Sequence, residues 1–118
     1  MRQLCESITE SVRDTVIPMV GEPESGEKVG MGADGTPTKR IDAEADEVAF
    51  IHLKRHGDIR VISEESGVTV YGDSEKTVVI DPIDGTFNAV RDIPFYSTSI
   101  AVSGSRSLDD LEYGGVIN

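Results

Sequence analysis

The chain has 118 residues, a length that suits one compact domain burying about two-thirds of its unfolded surface. Its 11 Lys and Arg residues against 22 Asp and Glu residues give a net charge of −11, which argues against nucleic acid or an anionic membrane as the main partner. The longest apolar run, residues 48–51, is too short for a membrane span or signal peptide, and the single Cys5 excludes an internal disulfide and favours a reducing, cytoplasmic location.

The hydrophobic periodicity predicts two helices in the first half of the chain. Apolar side chains recur about every four residues through the first twenty positions, which indicates an amphipathic helix that ends near Pro18. Residues 21–35 are rich in glycine and glutamate and predict a mobile polar loop. A second helix is predicted to begin within residues 38–41 and to run to about residue 55, where His56 and the following glycine stop it. We interpret His52 and His56 as surface residues, because no carboxylate or cysteine completes a zinc set beside them.

After the second helix the pattern changes to short runs that favour strands. The predicted strands cover residues 59–63, 68–71, 77–80, about 97–103 and 113–117, with a brief helix over 85–90. Two helices followed by a run of strands predict an α+β fold, with the helices packed on one face of a mainly antiparallel sheet. Because the last strand meets the chain end without a capping segment, we expect the chain to be the first half of a larger protein.

The strongest local signal is the run Asp-Pro-Ile-Asp-Gly-Thr, directly after the predicted strand at 77–80. Pro82 forces the chain to turn at once. Asp81 and Asp84 can then face one point, where the Ile83 carbonyl can join them. Hard oxygen ligands of this kind suit Mg²⁺. The alternative interpretation is an ordinary Asp-Pro turn after a strand.

Three further features extend the candidate site. Gly85 and Thr86 open the predicted short helix, where unpaired N–H groups and the positive end of the dipole can hold a phosphate. Glu64 and Glu65 follow another predicted strand, and they would join the aspartates in a cation-dependent cluster if the two strands are neighbours. Asp42 falls in the first turn of the second helix. Taken singly, these acids are better explained as a solvated turn and as a charge that stabilises the helix dipole.

Taken in order, these residues resemble the inositol monophosphatase family, within the lithium-sensitive, magnesium-dependent sugar phosphatases. The resemblance is carried by residues 39–42 (Lys-Arg-Ile-Asp), 63–66 (Ser-Glu-Glu-Ser), 81–88 (Asp-Pro-Ile-Asp-Gly-Thr-Phe-Asn) and 93–101. Residues 31–38 are most similar to archaeal members, which often hydrolyse both inositol monophosphate and fructose 1,6-bisphosphate. The resemblance spans nearly the whole chain.

The resemblance implies two or three Mg²⁺ ions. Glu64, Asp81 and the Ile83 carbonyl would bind one ion, and Asp81 and Asp84 would bind a second. Glu64 would also hold a weaker third ion near the loop that contains Asp34. A further aspartate would come from a tryptophan-led motif in the family's C-terminal half, which this chain does not include.

The resemblance also implies catalytic roles. Glu65 would position metal-bound water, while Thr86, hydrogen-bonded to Asp42, would orient the attacking water. The N–H groups of Gly85 and Thr86 would hold the phosphate. The alternative of a haloacid-dehalogenase-type phosphatase fails because its nucleophilic aspartate would fall at Pro82.

We therefore expect residues 1–118 to form the N-terminal metal- and phosphate-binding domain of a sugar phosphatase, the first half of its layered αβαβα fold. The implied activity is Mg²⁺-dependent hydrolysis of inositol monophosphate, fructose 1,6-bisphosphate or both by metal-activated water, in a cytoplasmic homodimer that binds neither nucleic acid nor membrane. The alternative is a noncatalytic or inactive truncated module that binds metal or phosphate.

Overall fold

The computed structural model of the protein describes residues 2–73, 75–104 and 111–117. The helices are α1 (Arg2–Val16), α2 (Arg40–His56) and α3 (Thr86–Val90), and short 3₁₀ turns lie at Ile17–Met19 and Pro23–Gly26. The strands are β1 (Lys28–Met31), β2 (Pro37–Lys39), β3 (Ile59–Ser63), β4 (Gly67–Tyr71), β5 (Thr77–Asp84), β6 (Ser97–Ser103) and β7 (Leu111–Ile117).

Five of the strands form one mixed sheet in the order β4-β3-β5-β6-β7. β3 and β5 run parallel, while the other three neighbouring pairs are antiparallel. β1 and β2 form a separate two-stranded hairpin. The predicted α+β fold with a mainly antiparallel sheet is confirmed, and its one parallel pair brings the carboxyl ends of β3 and β5 to the same edge.

The two long helices cover one face of the sheet and form the core with it. α1 buries its stripe against α2, and α2 in turn contacts β3 and β5. The buried apolar residues are Cys5, Ile8, Val12 and Val16 of α1, Ile41, Ala45, Ala49 and Leu53 of α2, Ala89 of α3, and Ile59, Val61, Val78, Ile80, Ile83, Ile100 and Val102 of the sheet. Within the described part of the chain, no helix has the length and apolar character needed to cross a bilayer.

Three local predictions differ from the structure. β5 does not end at residue 80 and Pro82 does not turn the chain at once, because the strand continues to Asp84. Pro82 lies at a register irregularity between Asp81 and Asp84, where a residue without an N–H is tolerated.

Part of the predicted loop at residues 21–35 is strand β1, and Gly32 N–H donates to the Thr36 carbonyl at 2.7 Å to close the hairpin. β1 is only four residues long, contains a glycine and is exposed throughout, so no buried side marks it as a strand. His56 is exposed as predicted, but His52 is half-buried and its Nε2 lies 2.8 Å from the Ser11 hydroxyl, which joins α2 to α1.

The packing of α2 predicts a large difference between two apolar side chains on the same helix. Leu53 is fully buried, whereas Ile51 is 52% exposed. We expect Leu53→Ala to lower the free energy of unfolding by about 2–5 kcal/mol, since it leaves a cavity between helix and sheet. Ile51→Ala is the matched control and should cost less than about 0.5 kcal/mol in urea unfolding. Equal losses in the two variants would contradict this packing.

Candidate metal and phosphate site

The parallel pairing of β3 and β5 places the acids that follow one strand beside those that end the other. Ser63 is the register partner of Ile80, and the Glu64 N–H donates to the Ile80 carbonyl at 3.2 Å. The next residue of β5 is Asp81, and its carboxyl group lies within hydrogen-bonding reach of the Glu64 carboxyl. Two carboxyl groups from separate parts of the sequence therefore meet at one edge of the sheet.

All eight residues that the sequence proposed for the site line a single open cleft of about 450 Å³. They are Asp42, Glu64, Glu65, Asp81, Ile83, Asp84, Gly85 and Thr86. A more apolar cavity of about 260 Å³ lies between α1 and the segment 94–98, and no carboxylate lines it. The acid-lined cleft is therefore the candidate functional site.

Asp81 has a buried carboxylate oxygen, Oδ1, that lacks a hydrogen-bond donor. Burial, followed by the charges of Glu64 and Asp84, raises the pKa of Asp81 to about 7. A buried carboxylate oxygen without a donor is costly, and a hard cation would supply the missing partner. The donor chemistry therefore fits a divalent ion such as Mg²⁺.

The acids do not form a complete ion-binding shell by themselves. Among the described residues, no three His, Cys, Asp or Glu side chains are arranged so that they could hold a metal ion. The Ile83 carbonyl adds an oxygen at the cleft, where it lies 3.4 Å from the Thr86 hydroxyl. The chain thus contributes a set of oxygen donors that is part of an ion site rather than a closed cage.

The start of α3 lies at the same cleft because the chain turns sharply at Gly85. This residue has φ +94°, and a Cβ there would stand 2.7 Å from the Phe95 carbonyl oxygen. Only glycine fits this close approach. Asn88 reinforces the turn, since its Nδ2 donates to the same Phe95 oxygen at 2.8 Å. The turn leaves Thr86 as the first residue of α3, facing α2.

The Thr86 hydroxyl is fixed by a buried carboxylate. It donates to Asp42 Oδ1 at 2.6 Å, and Asp42 is 5% exposed in the first turn of α2. Burial raises the pKa of Asp42, although the Thr86 hydroxyl and the nearby Lys39 oppose the shift. The structure therefore brings together the Thr86–Asp42 pair that the resemblance implied.

Glu65 is held by the β1–β2 hairpin. Its Oε2 accepts a hydrogen bond from the Thr38 hydroxyl at 3.0 Å, and its carbonyl accepts one from the Ala33 N–H at 2.9 Å. Burial raises the pKa of Glu65 to about 7, and the charge of Asp42 adds to the shift. The hairpin thus closes one wall of the cleft over the acidic turn.

Asp34 does not enter the cleft. Its Oδ1 accepts hydrogen bonds from the Thr36 N–H at 3.0 Å and the Thr36 hydroxyl at 2.7 Å, which lower its pKa. The carboxylate therefore stabilises the tip of its own hairpin. Asp34 is absent from the cleft lining, although its loop contacts the acidic turn through the hydrogen bond from the Ala33 N–H to the Glu65 carbonyl. The third ion near this loop stays a prediction.

Sequence reasoning missed two polar residues behind the acidic turn. The Ser63 hydroxyl donates to Asp46 Oδ1 at 2.6 Å, and Ser63 is 2% exposed. Asp46 lies one helical turn after Asp42 on α2, and this spacing on one face was the available signal. Ser63 precedes the two glutamates directly, but its partner is 17 positions away in the sequence.

Comparison with known proteins agrees with this arrangement of residues. The model of the inositol monophosphatase family matches residues 3–106, and the chain belongs to that family. The fructose-1,6-bisphosphatase/inositol-1-monophosphatase of Archaeoglobus fulgidus is 48% identical over 76% of this chain. A bifunctional NADP phosphatase/NAD kinase of Methanococcus maripaludis is 40% identical over 95% of it. The crystal structure of an inositol monophosphatase–fructose 1,6-bisphosphatase gene product superposes with a TM-score of 0.85 at 30% identity, over 98% of this chain.

The chain spans only part of each of these proteins. It covers 34% of the Archaeoglobus protein, 20% of the Methanococcus protein and 44% of the solved chain. Family membership and the fold are therefore established for these residues.

The raised pKa values predict how metal-free protein responds to pH. Asp81 and Glu65 have folded pKa values of about 7 against ordinary values of 3.8 and 4.5, so the folded state binds more protons between those limits. This stabilisation is complete below about pH 4 and is lost as the pH rises through about 7. In EDTA, we expect the thermal unfolding midpoint to fall between about pH 5.5 and pH 8.

The Asp81→Asn variant tests this explanation. Its midpoint should change less with pH than that of the wild type, because one of the shifted groups is gone. Asp14→Asn, an exposed aspartate of α1, is the control and should keep the wild-type slope. Identical slopes in all three proteins would show that the cleft acids do not cause the dependence.

Proposed function

We propose that the protein is a Mg²⁺-dependent phosphomonoesterase that acts on inositol monophosphate and fructose 1,6-bisphosphate. The observation that carries the proposal is the buried, unpaired Asp81 Oδ1 in a cleft that also holds Glu64 and Asp84. A phosphate monoester is an anion, and a cleft lined by carboxylates can accept it only after cations reverse the local charge. The names of relatives from this family support both substrates.

One Mg²⁺ ion would be held by Glu64, Asp81 and the Ile83 carbonyl. A second Mg²⁺ ion would be held by Asp81 and Asp84. When bound, such ions lower the pKa of the attacking water and neutralise charge on the leaving alkoxide in an in-line displacement. The chain's own contribution is to place these oxygens at one sheet edge. It keeps them close together in spite of their mutual repulsion.

Thr86 orients the attacking water. Its hydroxyl hydrogen is committed to Asp42 at 2.6 Å, so the hydroxyl oxygen is left to accept a hydrogen bond from water. The phosphate is held beside it by the N–H groups of Gly85 and Thr86. Glu65 assists by positioning a water molecule that a bound ion would hold, since Thr38 fixes its carboxylate at the cleft wall.

NADP is a second candidate substrate because two relatives carry that activity in their names. The bifunctional NADP phosphatase/NAD kinases of Methanococcus maripaludis and Methanocaldococcus jannaschii are 40% and 42% identical over 95% and 91% of this chain. The cleft includes two cations, Lys28 and Lys39, which are register partners on the β1–β2 hairpin. They could neutralise a phosphate that does not react, which bisphosphates and dinucleotides have and inositol monophosphate lacks.

The sequence also carries expectations about the protein's location, oligomeric state, inhibition and partners. We propose that it is a cytoplasmic homodimer, inhibited by lithium, and that it binds neither nucleic acid nor membrane. The acidic net charge of −11 supports the last point, since it disfavours polyanionic surfaces. The alternative of a noncatalytic module differs in one measurable respect, which is the absence of phosphate release at millimolar Mg²⁺ by folded protein.

Asp84→Asn tests the catalytic proposal. Loss of this carboxylate removes a ligand and relieves repulsion of Asp81, so we expect phosphate release to fall by about 100-fold or more without loss of the fold. Phosphate release and the thermal midpoint without Mg²⁺ are measured together. Asp14→Asn serves as the control, and it should match the wild type in both. Unreduced turnover in Asp84→Asn would exclude the proposed role.

A substrate panel separates the candidate substrates. Inositol 1-phosphate, fructose 1,6-bisphosphate and NADP are compared by kcat/KM in the same buffer. We expect Lys39→Gln to raise KM for the substrates with an additional phosphate more than KM for inositol 1-phosphate, because only they present a second anion to the hairpin. Lys54→Gln, at an exposed position near the end of α2, is the control. Equal effects of Lys39→Gln on all three substrates would contradict the role assigned to this lysine.

A further inference from the structure

One buried hydroxyl joins helix α2 to the turn that carries the two glutamates. The Ser63 Oγ donates to Asp46 Oδ1 at 2.6 Å. The same oxygen lies 3.2 Å from the Glu65 N–H and 3.4 Å from the Ser66 N–H, both of which donate to it. The Ser63 hydroxyl therefore donates its single hydrogen to α2 and accepts hydrogen bonds from two N–H groups of the acidic turn.

Asp46 is placed to hold this hydroxyl and does not reach the cleft itself. It is absent from the cleft lining, which contains Asp42 from the preceding turn of the same helix. The nearby Ser66 side chain also stabilises the charged form of Asp46. Burial raises the pKa of Asp46, and both serine hydroxyls oppose that shift. Asp46 is thus linked to both ends of the turn that carries Glu64 and Glu65.

The turn needs an anchor because its charges repel one another. Glu64 and Glu65 are adjacent, and Glu64 also raises the pKa of Asp81 across the sheet edge. Without restraint, the turn would relax by moving Glu64 away from Asp81. An ion would then have to order the turn as it binds, and that cost would reduce its affinity.

We propose that Asp46, acting through Ser63, is a positioning residue that holds the Glu64–Glu65 turn against Asp81 and thereby sets the affinity of the cleft for divalent ions. This inference rests on the proposed function, because it concerns the ion site of that phosphatase. Asp46 touches neither substrate nor ion. Its effect falls on the Mg²⁺ concentration that the protein requires, rather than on the rate once the ions are bound.

The test uses Ser63→Ala and Asp46→Ala in the full protein, with Mg²⁺ uptake measured by calorimetry and phosphate release measured across a Mg²⁺ series. We expect the Mg²⁺ concentration at half-maximal activity to rise roughly 10- to 100-fold, as for other partners that orient metal ligands. At saturating Mg²⁺, kcat should return to near the wild-type value. Asp46→Asn keeps an acceptor oxygen for Ser63, so it should restore most of the affinity.

Ser25→Ala is the matched control, because it removes another buried serine hydrogen bond, from Ser25 Oγ to the Met19 carbonyl at 2.5 Å. It should lower the unfolding midpoint without changing the Mg²⁺ requirement. A shift in Ser63→Ala no larger than in Ser25→Ala would overturn the positioning role, and so would a loss of kcat that saturating Mg²⁺ does not restore.

Two further outcomes are decisive. If Ser63→Ala does not fold, the comparison of Asp46→Ala with Asp46→Asn carries the test, and equal Mg²⁺ requirements in those two variants would overturn the proposal. If the folded wild type takes up no Mg²⁺ in the calorimeter, the proposed function itself fails, and this inference fails with it. Uptake by the wild type with unchanged uptake by the Asp46 and Ser63 variants would overturn only the positioning role.

Discussion

The site depends on the parallel pairing of β3 with β5. In that register Val61 lies beside Val78, and both side chains are buried against the helices. A shift of either strand by one residue would turn these apolar side chains away from the core. The same register sets Ser63 beside Ile80, and therefore Glu64 beside Asp81. The hydrophobic core thus fixes a contact between like charges that electrostatics alone would oppose.

The carboxyl groups of Glu64, Asp81 and Asp84 repel one another at this end of the sheet. Among the described residues of the cleft, no basic side chain lowers the pKa of Asp81. Asp81 retains a buried oxygen without a donor, and its pKa rises to about 7. Lys39 acts on Asp42, at the helix side of the cleft. The fold is consequently less stable once the pH rises through about 7 and these carboxyl groups ionise.

Much of this structure could be predicted from sequence periodicity and motif order. The helices, the strand series and the turn at Gly85 follow from local signals, and the eight proposed residues share one cleft. The parallel pairing of β3 with β5 was not predicted, because it depends on which strands become neighbours in the sheet, and no local pattern specifies that. The β1–β2 hairpin was missed because its strands are short and β1 is exposed throughout. The Ser63–Asp46 bond was missed because it joins separate elements through tertiary packing.

Helix α2 gives these separate pieces a common frame. Asp42 and Asp46 lie four positions apart and so project from the same side of the helix. Asp42 holds Thr86 at the start of α3, and Asp46 holds Ser63 at the end of β3. The same helix also buries an apolar stripe that includes Ala45 and Leu53, and this burial fixes the rotation of the helix on the sheet. Because one rigid element orients both groups, Thr86 and the Glu64–Glu65 turn keep a constant position relative to each other.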